Sequence, residues 1–377
     1  MIYLDYAATT FIRDEIKESY VKFLSENFAN PDSLHKIGQE SNKYLMLARK
    51  QIASLLNVKD DEVIFTSGAS ESNNLAIKGV ALQYRNRGNH IISTRIEHPS
   101  ILNTLKQMEE YYGCEVSYVD VDSEGNVDLD QLKSLIRDTT ILVSMQHVNS
   151  ETGATIDIAS IAKFLKKYPK LFFHVDATQS MGKINLDIKD IDMVSFSGHK
   201  LFSLKGTGCL IKKERVVLQP LVCGGQQENG VRAGTSNVAG DMMLAKALRL
   251  ALEEKNKNFE YVKGLYSYLE SEISTLDNVM INSSVKGSPY IFSFSILNMK
   301  PEVVLNYLSS RDIYVSTKSA CSSKKNTPSY VIYEFFKDEK RATTTIRVSM
   351  SKYNTLDELK EFVRVLKESL ASLKEAK

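Results

Sequence analysis

The most constraining feature of the sequence is a regular alternation of short apolar runs with amphipathic segments between residues 63 and 211. The apolar runs suit strands, and the segments between them repeat their apolar side chains at helical spacing. The predicted strands lie near residues 63–65, 91–94, 116–119, 141–145, 171–175 and 192–197. Because a helical connection brings successive strands side by side in parallel, the pattern predicts an α/β fold with a mostly parallel sheet.

The composition limits the kind of partner that the protein binds. The 377 residues are enough for two or three domains of about 150 residues each. The 48 basic and 46 acidic side chains leave a net charge of +2, which does not indicate binding to nucleic acid or to a membrane surface. No run of 18 apolar residues is present, and residues 1–6 lack the features of a signal peptide. We therefore expect a cytoplasmic protein that acts on small molecules.

Several common cofactor and metal patterns are missing from the sequence. The four cysteines are far apart and show no C-x-x-C spacing, so we expect neither disulfides nor structural zinc. No G-x-G-x-x-G follows a strand, and Ile184 stands where a phosphate-binding loop of the Walker type needs serine or threonine. His174 and Asp176 share one strand face and could be two metal ligands, although no third ligand is apparent nearby.

Polar side chains follow the ends of the predicted strands, where open parallel sheets bind ligands. These residues are Ser70, His98, Asn149, Asp176 and Lys200. Asp176 ends the apolar run 171–175, and a buried carboxylate needs a cationic or N–H partner, for which a pyridinium nitrogen is suitable. His98 and Asn149 could instead be helix caps or ordinary loop residues.

Lys200 follows the apolar strand near 192–197 and a glycine that permits a tight turn. An amine delivered to an apolar crevice has a lowered pKa and can form a Schiff base with an aldehyde, which is the chemistry of pyridoxal phosphate. The small-residue turn 66–70 before a predicted helix could bind a phosphate group through free backbone N–H groups. The alternatives are a solvated lysine at a strand end and an ordinary strand–helix turn.

The last third of the chain is predicted to form a second domain. A glycine-rich excursion at 223–235 precedes a long helical pattern, which the charge run 253–258 crosses. We place the boundary there, with 13–256 as the large domain and 1–12 with 257–377 as the small one. In the small domain the polar segment 319–327 carries Cys321 close to several lysines, which favour its thiolate. Cys321 could be a nucleophile or an idle surface cysteine.

Nine short motifs, in their order along the chain, resemble those of cysteine desulfurases, which are class V members of the aminotransferase superfamily. The motifs are Leu4-Asp5-Tyr6-Ala7-Ala8-Thr9-Thr10, Phe65-Thr66-Ser67-Gly68-Ala69, Glu97-His98, His147-Val148-Asn149, His174-Val175-Asp176-Ala177-Thr178-Gln179, Ser195-Phe196-Ser197-Gly198-His199-Lys200, Arg232-Ala233-Gly234-Thr235, Ser319-Ala320-Cys321 and Ile346-Arg347-Val348-Ser349. The resemblance covers nearly the whole chain and includes the long cysteine loop of the housekeeping branch. It implies pyridoxal-phosphate-dependent fold type I, with a large cofactor domain, a smaller α/β domain and a homodimer with shared sites.

The resemblance also implies a role for each matching residue. Lys200 would form the Schiff base with the cofactor, Asp176 would hold the pyridine nitrogen, and His98 would stack on the ring and move protons. Gln179 and Asn149 would hold the phenolic oxygen and adjacent substrate groups. The phosphate would be bound by Ala69, Ser70, Ser197, His199 and, from the other subunit, Thr235. Arg347 would bind the substrate carboxylate, and Cys321 would accept the sulfur.

The implied reaction converts L-cysteine to L-alanine and leaves a persulfide on Cys321. The sulfur would pass to an iron–sulfur scaffold protein or to a tRNA-thiolation enzyme, without direct binding of nucleic acid or membrane. The alternatives are a class V aminotransferase or selenocysteine lyase, and an idle scaffold that binds sulfur-carrier proteins. Lys318 replaces a glycine that is usual in the family. Because lysine tolerates a positive φ poorly, we expect a different backbone conformation there.

Overall fold

A computed structural model describes residues 1–318 and 327–375 of the chain. In chain order the strands are β1 (Ile2–Tyr3), β2 (Val63–Thr66), β3 (His90–Thr94), β4 (Glu115–Val119), β5 (Thr140–Gln146), β6 (Phe172–Asp176), β7 (Met193–Ser197), β8 (Gly208–Lys212), β9 (Val279–Ile281), β10 (Ile291–Ile296), β11 (Ile313–Tyr314) and β12 (Thr345–Ser349). The α-helices are α1 (Asp14–Glu26), α2 (Lys36–Leu56), α3 (Ala69–Gln83), α4 (Pro99–Tyr112), α5 (Leu129–Leu135), α6 (Ile158–Leu165), α7 (Val238–Ile273), α8 (Pro301–Ser309), α9 (Tyr330–Phe336), α10 (Glu339–Thr343) and α11 (Leu356–Glu375).

Seven strands form the central sheet in the order β2-β8-β7-β6-β5-β3-β4. Strands β7, β6, β5, β3 and β4 pair in parallel, whereas β8 runs antiparallel to both of its neighbours. The predicted α/β fold with a mostly parallel sheet is therefore confirmed. The connection from β7 to β8 is too short for a helical crossover, so β8 returns beside β7 in the opposite direction.

Both faces of this sheet are covered, which is why its inner strands β3, β5, β6 and β7 are buried at every residue. Neighbouring residues of one strand point to opposite faces and enter different cores. Phe172 belongs to the core that includes residues of α3 and α4, whereas Phe173 belongs to the core that includes residues of α2, α6 and α7. Leu142 lies in the same core as Phe172, and Val143 lies in the same core as Phe173. This burial holds the strand ends at fixed positions, with Asp176 of β6 beside Ser195 of β7.

A second core lies around the antiparallel sheet β12-β10-β9. It contains the apolar stripe of α11, the second half of α7 and Leu4 from the N-terminal arm. A capping box opens α11: the Thr355 hydroxyl accepts from the backbone N–H of Glu358, and the Glu358 carboxylate accepts from the backbone N–H of Thr355. Helix α7 is continuous through residue 256 and contributes to both cores. The exact two-domain division stays a prediction.

An ion cluster joins the N-terminal arm, α7 and the segment after β12. Arg13 donates to both carboxylate oxygens of Glu254 at 3.0 and 3.1 Å, and Lys352 also donates to Glu254. Burial raises the pKa of Glu254, but the hydrogen bonds from Arg13 and Lys352 outweigh burial and lower the pKa to about 2. The cluster therefore stabilises the contact between the three segments while Glu254 is ionised.

We expect Glu254→Gln to lower the free energy of unfolding at about pH 7 by about 1 to 2 kcal/mol. The folded-state pKa is depressed, so this stabilisation is complete above the unfolded-state pKa of about 4.3 and is lost as the pH falls toward about 2. Urea unfolding of both proteins across this pH range measures the difference. Glu253→Gln, which removes an exposed partner of Arg249, is the control. A Glu254→Gln effect that is the same at neutral and acidic pH would contradict the account.

Candidate active site

A cavity of about 410 Å³ opens at the carboxyl ends of the parallel strands. Most of the predicted site residues line it: Ala69, Ser70, His98, Asp176, Gln179, Ser197, His199, Lys200 and Arg347. They come from segments as far apart in sequence as α3 and β12. The carboxyl edge of the central sheet brings most of them together, and β12 of the second sheet contributes Arg347.

Lys200 reaches the cavity from a single turn of 3₁₀-helix, Gly198–Lys200, directly after β7. A side chain at Gly198 would place its Cβ 2.3 Å from Thr207 Oγ1, so the tight turn requires glycine. The Lys200 ammonium donates to the backbone carbonyls of Ala7 and Ala8, the latter at 2.6 Å. The amine is thus buried and held at the cavity wall by the N-terminal arm.

Asp176 is buried at the end of β6, and the structure supplies the N–H partners that its burial requires. Asn73 Nδ2 donates to one carboxylate oxygen at 2.8 Å, and the backbone N–H of Thr178 donates to the other at 2.9 Å. A carboxylate accepts about four hydrogen bonds, so Asp176 retains capacity for a further donor such as a protonated ring nitrogen. Asn73, on α3, was not singled out from the sequence because its contact spans 103 residues.

The His98 side chain caps α4 and also lines the cavity, so the capping bond does not remove it from the predicted site. It precedes Pro99 at the start of α4, and its Nδ1 accepts the backbone N–H of Ser100 at 3.1 Å. Burial lowers the pKa of His98, with an opposing contribution from Asp176. The ring is therefore neutral at physiological pH and able to accept a proton.

The start of α3 forms a site suited to a phosphate group. Gly68 precedes the helix with a φ of 155°, and the turn 67–70 lies on the cavity wall beside Ser197 and His199. The helix N-terminus presents unpaired backbone N–H groups and a partial positive charge to the cavity. Burial, together with nearby lysines, lowers the pKa of His199 to about 4, and its Nδ1 lies 3.1 Å from Thr9 Oγ1.

Arg347, on β12, is almost completely buried but still has an unused donor. Its Nη1 donates to the backbone carbonyl of Ser150 at 2.9 Å, and its Nη2 donates to Asp5 at 2.7 Å. The buried Nε has no hydrogen-bond partner among the described residues. Because such a donor is costly to leave unpaired, the Nε and Nη2 edge is suited to a bound carboxylate.

A family model of aminotransferase class V matches residues 2–362. The chain belongs to the class-V aminotransferase family. It is 39% identical to the cysteine desulfurase IscS of Dictyoglomus turgidum, over 99% of this chain and 95% of that protein. It is 38% identical to the cysteine desulfurase IscS of Buchnera aphidicola subsp. Schizaphis graminum, over 99% and 93% of the two chains.

Solved structures of similar proteins share the fold. A NifS-like protein superposes with a TM-score of 0.92 at 36% identity, covering 98% of this chain and 99% of that one. SspA in complex with cysteine superposes with a TM-score of 0.82 at 33% identity, covering 94% and 100%. The predicted resemblance to cysteine desulfurases and the predicted fold type I are therefore confirmed.

Two predicted positions of the class-V site do not reach the cavity. The amide of Asn149 is buried in its own turn, where Nδ2 donates to the Ile96 carbonyl at 3.0 Å and Oδ1 accepts from the backbone N–H groups of Glu151 and Thr152. Thr235 is exposed away from the cavity in this single chain. Cys321 lies outside the described residues. The roles of these three residues stay predictions.

The described residues on either side of 319–326 are fixed by direct contacts. Lys318 donates from Nζ to the backbone carbonyl of Thr327 at 2.6 Å, and it is absent from the described residues with positive φ. Ser329 donates to Glu151 at 2.5 Å, and Tyr330 donates to the backbone carbonyl of Glu97 at 2.5 Å. These contacts attach the chain after residue 326 to the loops that follow β3 and β5, next to His98.

His174 has hydroxyl partners on both sides rather than a metal-like environment. Its Nδ1 lies 2.8 Å from Ser144 Oγ and its Nε2 lies 2.9 Å from Ser195 Oγ, across three neighbouring strands. Burial lowers its pKa to about 4. In the part of the chain that the structure describes, no three His, Cys, Asp or Glu side chains cluster as metal ligands.

Within the same residues, no helix combines the length and the apolar character needed to cross a bilayer.

Proposed function

We propose that this protein is a pyridoxal-phosphate-dependent cysteine desulfurase. It converts L-cysteine to L-alanine and transfers the sulfur to Cys321. The observation that carries this proposal is the convergence of a buried amine (Lys200), a buried carboxylate (Asp176) and a guanidinium with an unpaired donor (Arg347) on one cavity. Relatives named cysteine desulfurase, about 38% identical over nearly the full length, support the same activity.

The residues of the cavity fit pyridoxal phosphate. Asp176 would accept a hydrogen bond from the ring nitrogen, and Lys200 would supply the amine for the covalent link. The phosphate would lie at the start of α3, near Ser70, Ser197 and His199. When bound, the cofactor withdraws electrons from the α-carbon of an attached amino acid.

The protein's own groups then position the substrate and move its protons. The Nε and Nη2 atoms of Arg347 bind the carboxylate of L-cysteine, which fixes the orientation of the α-carbon. The Lys200 amine and the neutral imidazole of His98 are the bases that line the cavity and can take or return the α-proton. The Cys321 thiolate attacks the sulfur of the substrate, a new S–S bond forms, and the electron pair of the broken Cβ–S bond stays on carbon and is protonated to give alanine.

The sulfur acceptor is proposed to be a protein, either an iron–sulfur scaffold or a tRNA-thiolation enzyme, in the cytoplasm. Persulfide is held covalently on the enzyme, so its delivery requires a second thiolate at close range rather than diffusion of free sulfide. The functional proposal is tested by following alanine and the mass of Cys321 in the same sample after addition of L-cysteine. Formation of 3-mercaptopyruvate, in which L-cysteine has lost its amino group and kept its sulfur, with no sulfur gained by Cys321, would support an aminotransferase activity instead.

The proposed dimer completes the phosphate site with Thr235 from the second subunit. Thr235→Val should weaken cofactor binding about 10-fold, the usual effect of removing one hydrogen bond to a charged group. We expect subunit mixing to reveal the sharing, because a dimer of one Thr235→Val chain and one Lys200→Ala chain has one site with both residues intact. A random mixture should then recover about a quarter of the wild-type sites.

Cofactor absorbance, measured after mixing at limiting pyridoxal phosphate, reports this recovery. Each variant incubated alone provides the control. A mixture that gives only the average of the two variants, or a fully active monomer in sedimentation, would contradict the shared site.

A further inference from the structure

Lys183 is a cation next to the cavity that the proposed reaction does not use. It lies on the turn after β6, seven residues beyond Asp176, and lines a small cavity that Lys200 and Tyr290 also line. Its Nζ is 3.5 Å from Gln179 Oε1 and 5.8 Å from the centre of the Tyr290 ring. Among the described residues it forms no ion pair with a carboxylate. Burial lowers its pKa to about 8, so the amine still carries a charge at pH 7.

Gln179 connects this cation to the cofactor cavity. Its side chain lines the cavity, and its Nε2 donates to the backbone carbonyl of Ala7 at 3.0 Å. A carbonyl can only accept and an ammonium can only donate, so Ala7 and Lys183 together require one orientation of the amide. The carbonyl oxygen of Gln179 faces Lys183, and the second N–H of Nε2 is left for a ligand in the cavity.

We propose that Lys183 is a positioning residue for the cofactor: its ammonium holds Gln179 so that the amide NH₂ faces the phenolic oxygen of bound pyridoxal phosphate. The inference rests on the proposed function. An N–H donor and a nearby positive charge both favour the ionised form of that oxygen. The orientation of Gln179 therefore sets the pH at which the bound cofactor loses a proton, and Lys183 maintains that orientation.

The other charged and titratable groups around Lys183 belong to five segments. They are His199 and Lys200 on the 3₁₀ turn, Glu254, Lys255 and Glu260 on α7, Lys286 and Tyr290 before β10, Tyr6 and Arg13 on the N-terminal arm, and Lys352 after β12. Glu254 is neutralised by Arg13 and Lys352, Lys286 pairs with Glu124, and burial raises the pKa of Tyr290. No carboxylate of the described residues pairs with Lys183, so its positive charge acts on Gln179.

The experiment is a pH titration of the absorbance of the cofactor-loaded protein. Lys183→Met should raise the midpoint of this absorbance titration by about one pH unit. Both the positive charge and the constraint on the Gln179 amide are lost in this variant. Lys183→Arg should stay close to wild type because it keeps the charge. The matched control is Lys189→Met, which removes an exposed lysine from the same connection and should leave the midpoint unchanged.

Two further comparisons keep the result decisive. If Lys183→Met binds the cofactor too weakly, Lys183→Gln is titrated in its place. In a Gln179→Leu background the Lys183→Met shift should shrink, because the amide through which Lys183 acts is gone. A Lys183→Met or Lys183→Gln protein with the wild-type midpoint would overturn the inference alone, whereas a wild-type protein without any cofactor absorbance would overturn the proposed function.

Discussion

Lys200→Ala is expected to remove the covalent link to pyridoxal phosphate and to lower alanine formation by at least about 1000-fold. The expectation follows from position: Lys200 is the buried amine at the end of β7, and the adjacent strand β6 delivers Asp176 to the same cavity. Borohydride reduction before mass spectrometry should attach the cofactor to the wild-type chain and leave Lys200→Ala unmodified. Alanine release from L-cysteine is measured in parallel.

In Lys200→Ala, a loss of alanine formation must be distinguished from a loss of folding stability. The substitution leaves the Ala7 and Ala8 carbonyls without the ammonium, which costs about 1 to 3 kcal/mol if water does not replace it. Lys205→Ala is the matched control, because Lys205 also lines the cavity but is exposed. A Lys200→Ala protein that still carries reducible cofactor would show that another amine forms the link.

Cys321→Ala is expected to retain the cofactor and bind L-cysteine but to form alanine at least about 1000-fold more slowly than wild type. The Cβ–S bond of the substrate is broken only when a thiolate takes the sulfur, and the variant has no thiolate at that position. The free energy of unfolding should change by less than about 0.5 kcal/mol, because the polar segment 319–327 has no apolar anchor in its sequence.

The control for this variant is Cys223→Ala, which removes an exposed cysteine from the glycine-rich excursion. It should leave alanine formation unchanged. Dithiothreitol is present in every reaction so that sulfur release does not limit turnover. Wild-type rates of alanine and sulfide formation by Cys321→Ala would require the desulfurase proposal to be withdrawn.

The sequence was sufficient to predict features that depend on local pattern. Strand positions followed from short apolar runs, and the strand ends identified Asp176 and Lys200 because parallel sheets bind ligands at their carboxyl edge. The capping box of α11 is a local pattern of the same kind, since both partners lie within one turn. The reversal of β8 was not predicted, because direction depends on pairing rather than on the apolar pattern of the strand.

The contacts that complete the site could not be predicted from local pattern. Asp5 contacts Arg347 across 342 residues of sequence, and the Ala7 and Ala8 carbonyls reach Lys200 across more than 190. Such contacts depend on how the N-terminal arm packs between the two cores. Asn149 illustrates the converse: it follows a strand as predicted, yet its amide oxygen accepts within its own turn and its amide NH₂ donates to the Ile96 carbonyl.

The central claim is that Cys321 takes sulfur from L-cysteine as alanine forms. The most direct test incubates the cofactor-loaded protein with L-cysteine without reductant, stops the reaction by alkylation, and measures alanine together with the mass of the peptide that contains Cys321. We predict one alanine for each Cys321 that gains the mass of one sulfur atom during the first turnover. Alanine formation with an unmodified Cys321, or sulfur located only on another cysteine, would contradict the account.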